Sequence, residues 1–352
     1  MIAVIADDLS GAAELAGAAL RHGLTAEVQL KFAPDSDAEV VCLTTESRSL
    51  PAADAARRVA AVTRAVMAAR PAWIFKKCDS VLRGPVLAEA RAAAQGAGKS
   101  RIVVLAANPS RQRIVRDGIY FVNDMPLAET GFARDPEHPR RSSRVADLLG
   151  GDLTGVATPD ATTTSDAFGQ AGGIDEATLP VGGIDFFAAL LAVRCARRPE
   201  QSEDVEAAGP VLAVCGSAAA WQQREAQAAQ AGIPVFALPL ESEAVDRALR
   251  DTGRALAGIG SGEAVAGQSP AQLLSRLATS LGKVTSRGAA RRILLEGGAT
   301  AAAVLSVTGG TRFAVLAAPA PGVTALRLLG AEGPVLFVKP GSYDWPVALW
   351  PG

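Results

Sequence analysis

Apolar runs of four or five residues recur along this chain, many of them followed by a stretch with helical periodicity. Runs this short read as strands, and strands alternating with helices predict a mostly parallel sheet with helices on its faces. Strands are predicted over Ile2–Ala6, Val40–Thr44, Trp73–Lys77 and 102–106, and helices over 10–21, 51–70 and 85–94. From about 108 to 183 the pattern loosens into Gly-, Asp- and Pro-rich segments, and 186–196 reads as a closing helix.

Residues 197–204 are charged and lack apolar periodicity, which marks a linker. A second alternation follows it, with strands over Val211–Cys215, 234–237, 293–296, 313–316 and Val335–Lys339, and helices over 218–231, 242–251 and 270–281. With 352 residues there is enough chain for two cores. The expected architecture is two α/β lobes with mostly parallel sheets and an active-site cleft between them. Its parts are an N-terminal domain over 1–196, a linker over 197–209 and a C-terminal domain over 210–352.

The net charge is −1, so no global field recruits nucleic acid or an anionic membrane. Any anion must be captured locally. The four cysteines are scattered and there are only two histidines, so zinc-ligand spacing is absent. The N-terminus reads as a strand ending in two acids, without the basic and long apolar regions of a signal peptide. Gly and Pro break every long uncharged stretch, so no membrane span is expected. These features predict a cytoplasmic enzyme. Oligomeric state is left open, a homodimer included.

Gly96-Ala97-Gly98-Lys99-Ser100 imitates the tail of a phosphate-binding P-loop. The required upstream glycine is Ala93, however, and the segment ends a helix instead of opening one. A helix C-cap with a solvated lysine is the better reading. Three other glycine turns follow strands of the second lobe: Gly216-Ser217, Gly297-Gly298-Ala299-Thr300 and Lys339-Pro340-Gly341-Ser342. Glycines there permit close approach, and free N–H groups at helix starts favour phosphate. Together they predict a nucleotide-binding lobe.

In the first lobe, Asp7-Asp8-Leu9-Ser10-Gly11 leaves the first strand at the end where open α/β sheets bind ligands. Asp8 or Ser10 can cap the next helix, but capping does not need adjacent acids. Lys76-Lys77-Cys78-Asp79-Ser80-Val81-Leu82-Arg83-Gly84 leaves another strand. Side chains alternate along a strand, so only one of Lys76 and Lys77 is expected to face the site. Arg83 offers a fork for a carboxylate, while Asp79 and Ser80 can bond to hydroxyls. His138, among prolines, is assigned no role.

In order along the chain, these motifs, with Glu46-Ser47-Arg48 and Phe132-Ala133-Arg134-Asp135-Pro136, resemble the four-carbon acid sugar kinase family. The resemblance spans nearly the whole chain. It implies ATP-dependent phosphorylation of a terminal hydroxyl on an acid such as threonate, erythronate or oxo-tetronate. It also implies that Asp7, Asp8, Arg48, Lys77, Asp79, Ser80 and Arg83 line the sugar-acid pocket. Gly216, Ser217, Gly297, Gly298, Thr300, Lys339 and Gly341 would surround ATP. On this reading Arg48 and Arg83 hold the carboxylate, Asp79 and Ser80 orient hydroxyls, and Asp7 or Asp8 accepts the attacking hydroxyl's proton. Mg²⁺ would bridge the phosphates, with no assigned ligands. The chain departs from the family pattern at Ala299, where an acid is common, and at Ser342-Tyr343-Asp344-Trp345. Two rival readings use the same residues: a nucleotide-independent hydroxy-acid lyase or isomerase, and a non-catalytic sugar-acid sensor.

Overall fold

Ile2–Ala6 (β1), Val40–Thr44 (β3) and Trp73–Lys77 (β4) are strands, as their apolar runs predict, and β1 pairs in parallel with both of the others. The computed structural model describes residues 1–135, 137–200, 202–203, 205, 209–262, 265–341 and 343–350. Pro136 of the Phe132 motif, Ser342 of the final turn, and linker residues 201, 204 and 206–208 therefore lie outside the described residues. The chain divides into two compact units, Met1–Ala26 with Phe32–Glu200, and Glu27–Lys31 with Gln201–Gly352.

In the first unit the strand order is β3-β1-β4-β10-β5-β9, with Arg101–Leu105 as β5, Val156–Ala157 as β9 and Thr178–Gly182 as β10. Every pairing in this sheet is parallel. Leu9–Arg21 (α1) packs beside Ile184–Arg194 (α6), and Ala52–Ala68 (α2) beside Val86–Gly96 (α3). Between β5 and β9, Arg113–Arg116 (β6), Ile119–Val122 (β7) and Met125–Pro126 (β8) form a small antiparallel sheet. Val145–Leu149 (α4) and Thr164–Gly172 (α5) complete the unit. The strands β6 to β10 fall in the stretch whose pattern looked loose.

In the second unit, Val211–Cys215 (β11), Val235–Ala237 (β12), Arg254–Gly258 (β13), Arg292–Glu296 (β14) and Val335–Lys339 (β17) run parallel in the order β12-β13-β11-β14-β17. Val323–Leu328 (β16) and Arg312–Ala320 (β15) extend it antiparallel. The helices are Ala218–Gln230 (α7), Ser242–Thr252 (α8), Pro270–Ser286 (α9) and Gly298–Ser306 (α10). One further strand comes from far upstream. Ala26–Gln29 (β2) pairs antiparallel with β15, and Glu27 receives two hydrogen bonds from Arg312, at 2.6 and 3.1 Å. Its Ala-Glu-Val-Gln sequence gives no apolar run, so it was invisible as a strand.

Both sheets have a point where chain direction reverses. From β1, α1 leads toward the β3 side, whereas from β4, α3 leads toward β5; the reversal lies between β1 and β4. From β11, α7 leads toward β12, whereas from β14, α10 leads toward β15, so the second reversal lies between β11 and β14. Diverging helices leave a crevice at the carboxyl ends of such strand pairs, where ligands bind.

Candidate active site

Asp7 and Asp8 follow β1 directly. Asp8 is the N-cap of α1: its carboxylate accepts from Gly11 N at 2.9 Å and from Ser10 Oγ at 2.6 Å. Asp7 makes no cap. Its backbone carbonyl accepts from Ser47 N at 2.9 Å, drawing the segment after β3 against the end of β1. That contact brings Arg48 over both acids, with Nε 2.7 Å from Asp7 Oδ2 and Nη2 2.8 Å from Asp8 Oδ1. The other oxygen of Asp7, Oδ1, is buried and has no hydrogen-bond partner among the described residues.

The segment after β4 closes into a loop around Asp79, whose Oδ2 accepts from the backbone N–H groups of Val81 and Arg83, both at 3.1 Å. Arg83 clamps the same carboxylate with two bonds, at 2.8 and 3.0 Å, and reaches Asp135 at 3.0 Å. Gly84 ends this loop at φ +84°, and a Cβ there would lie 2.7 Å from the Arg48 carbonyl oxygen, so only glycine lets the two segments touch. Arg48 Nη1 lies 3.7 Å from Asp79 Oδ1 and joins the loops electrostatically.

Lys76 and Lys77 point to opposite faces of the sheet, as strand alternation requires. Lys76 Nζ is 2.6 Å from Glu89 on α3, while Lys77 Nζ bonds the Cys78 carbonyl at 2.8 Å and lies 3.8 Å from Glu14 on α1. Lys77 also approaches Gly11, on the α1 side of the site. Ser80 is held by the small sheet: Tyr120 Oη donates to its carbonyl and Arg113 donates to its Oγ.

These contacts set the charge states. Burial pushes the Asp7 carboxyl up, but Arg48, with Lys76 and Lys77 behind it, outweighs burial and holds it below the usual carboxylate range. Burial opposes ionisation of Asp79 too, and Arg83 and Arg48 hold it well below that range. Glu46, at φ +43°, behaves oppositely: burial, with the charges of Asp8 and Asp7, pushes it up to about 7 despite a bond from Thr44. Burial pushes the Cys78 thiol up to about 12, which makes it a poor nucleophile.

In the second unit, Ser217 caps α7 through Ala220 N, and Gly297 precedes α10 at φ +91°. Both helices start at the reversal between β11 and β14. A Cβ on Gly216 would fall 2.4 Å from both Thr300 Oγ1 and Leu274 Cδ2, so its bareness lets α9 and α10 close in. Among the described residues, nothing lies within 4 Å of such an atom at Gly341, and at Gly297 only Thr300 Oγ1 does, at 3.9 Å. Lys339 is fully buried, its Nζ 2.9 Å from Glu296 Oε1; Arg224 from α7 grips the same carboxylate at 2.8 and 2.9 Å. Trp345 lies against Lys339 and Trp350 against Arg224. Sequence reasoning missed Glu296 and Arg224, though Glu296 ends a predicted strand directly before Gly297.

Lys99 of the false P-loop donates to the Glu176 carbonyl at 2.6 Å, beyond the end of α3. No cluster of three or more His, Cys, Asp or Glu side chains suited to a metal exists among the described residues, and no helix there is long and apolar enough to cross a membrane.

A family model described as a sugar-binding N-terminal domain matches residues 2–178, half of the chain. The chain belongs to the four-carbon acid sugar kinase family. A D-threonate kinase of Bordetella bronchiseptica is 33% identical over 70% of this chain and 66% of its own length. Other curated kinases for D-threonate and D-erythronate align over 35% of theirs. A 3-oxo-tetronate kinase of Cupriavidus necator is 26% identical, over 98% of this chain and 95% of its own. A solved Haemophilus influenzae protein of the DUF1537 family shares the fold, with a TM-score of 0.71, 18% identity and 97% coverage of each chain.

Proposed function

We propose that this chain is an ATP-dependent kinase that phosphorylates a hydroxyl group of a four-carbon sugar acid. The observation that carries the reading is Asp7: a buried carboxylate at the reversal point of the first sheet, one oxygen clamped by Arg48 and the other unpartnered among the described residues. A buried acceptor left open in this way suits a substrate hydroxyl. The names of the relatives support the substrate class.

In this mechanism Asp7 Oδ1 accepts a hydrogen bond from the substrate hydroxyl and aims its oxygen at the γ-phosphorus of ATP. The new O–P bond forms as the bond to the ADP oxygen breaks, and Asp7 receives the proton. Phosphoryl transfer depends mainly on such positioning and on charge neutralisation. Arg48 keeps Asp7 ionised and oriented, while Asp79 and Arg83 hold the pocket wall in one conformation. Lys77 adds positive charge on the α1 side. MgATP enters as co-substrate, its Mg²⁺ carried on the phosphates. The N-termini of α7 and α10 favour the phosphates, and the open space at Gly297 and Gly341 supports their approach.

A coupled assay of ADP release over D-threonate, D-erythronate and 3-oxo-tetronate tests this. One acid should stimulate turnover, and Asp7→Asn should lower kcat by about 10²- to 10⁴-fold without changing the KM for ATP. Wild-type turnover in Asp7→Asn would remove this carboxylate from the mechanism. No ADP release with any acid would sink the kinase reading.

A further inference from the structure

We propose that Arg113, from the small antiparallel sheet, is the residue that recognises the carboxylate of the substrate. This rests on the reading of the first unit as a sugar-acid site and deepens it. Arg48 and Arg83 are the obvious candidates by sequence, but both are already engaged. Arg48 lies between Asp7, Asp8 and Asp79, and Arg83 is clamped to Asp79 and Asp135. Neither has a vacant fork for another anion.

Arg113 differs. It is only 8% exposed, yet no carboxylate among the described residues lies within ion-pair distance of it. Its side chain donates to Ser80 Oγ and packs against the Phe132 ring, its Cζ 5.8 Å from the ring centroid. A nearly buried guanidinium without a counter-charge is costly unless an anion completes it. Arg83 lies against the same ring at 5.9 Å, so Arg113 borders the loop that carries Asp79.

Ser80 strengthens the argument. A serine hydroxyl that accepts from arginine keeps its own proton free to donate. Its backbone is fixed by the Tyr120 hydroxyl. Arg113 N–H groups and the Ser80 O–H thus form a pair of donors suited to a carboxylate. Arg113 is a specificity residue on this account, whereas Asp7 acts on the hydroxyl.

The test is direct calorimetric titration with D-threonate, D-erythronate and the uncharged tetritols threitol and erythritol, run alongside the ADP-release assay. Wild type should bind one of the acids and discriminate against its tetritol. Arg113→Met should weaken acid binding by about 10- to 100-fold, leave tetritol binding unchanged, and remove the discrimination; Arg113→Lys should be intermediate. If Arg113→Met does not fold, Arg113→Gln replaces it, keeping a donor for Ser80 without the charge. Undiminished acid binding in the neutral variant overturns the proposal, as does a wild type that binds no acid or binds acid and tetritol equally. Wild-type acid binding without ADP release, lost in the neutral variant, would refute the kinase reading and leave the role of Arg113 standing.

Discussion

Replacing Arg48 with methionine isolates what one guanidinium does among three carboxylates. Asp79 would keep both bonds from Arg83, and Asp8 would keep Gly11 N and Ser10 Oγ. Asp7 would keep no side-chain donor, because Arg48 Nε is the partner of Oδ2 and Oδ1 already lacks one. The loss is therefore that of one broken buried ion pair, about 3–5 kcal/mol. Its pH dependence follows from the charge states. In wild type the Asp7 pKa lies below its unfolded value of 3.8, so the group contributes stability above that pH and loses it as pH falls through the folded value. In Arg48→Met burial acts against the remaining pull of Lys76 and Lys77, and the Asp7 pKa rises. The deficit is then full at pH 7 and shrinks as the carboxyl takes up its proton toward pH 4. Urea denaturation at pH 7 and pH 4.5, with hydrogen exchange of the β1 and β3 amides, measures it. Asp7→Asn in the same chain should recover more than half of the loss. A deficit below about 1 kcal/mol at pH 7, one equal at both pH values, or strict additivity of the two substitutions would refute the reasoning.

Glu46, pushed up to about 7, binds a proton in the folded state that the unfolded chain releases near 4.5, so it lowers stability as pH rises between those values. Glu46→Gln should flatten that slope in melting curves taken from pH 5 to pH 8. Gly216→Ala should cost about 1–3 kcal/mol by forcing Thr300 and Leu274 apart, and calorimetry should show weaker ATP binding with sugar-acid binding retained. Glu296→Gln leaves Arg224 and Lys339 without their shared counter-charge, and should destabilise β14 and β17 by about 3–5 kcal/mol, read as faster hydrogen exchange there.

The parallel strands β9 and β13 were missed, whereas β1, β3, β4, β11 and β17 were legible because they are largely buried and read as apolar runs, and they stand where those runs predict them. The strand β10 was not legible either, since Pro180 interrupts it, and its pairing with β4 is confined to Val181 and Gly182. The hairpin strand β6, Arg-Ile-Val-Arg, mixes arginines with aliphatic residues, and β7 is a short apolar run, Ile-Tyr-Phe-Val, lost in the stretch whose pattern looked loose. Local sequence reported the acids after β1 and the Asp79 loop, but not who pairs with whom. Arg48 lies 41 positions from Asp7, and only the fold brings them to 2.7 Å. The same blindness hid the partnership of Arg224 and Lys339 with Glu296, which joins three separate stretches of chain.

The strand β2 has a consequence for inheritance. Because Glu27–Lys31 belongs to the second unit while the residues on either side belong to the first, no single crossover can transplant either unit whole. A break after Glu200 would strand β2 with the wrong half and uncover the edge of β15 at Arg312, Phe313 and Ala314, the kind of bare edge that recruits foreign strands. A lineage that shuffles its second unit must therefore carry this short upstream segment with it, or evolve a substitute for the strand.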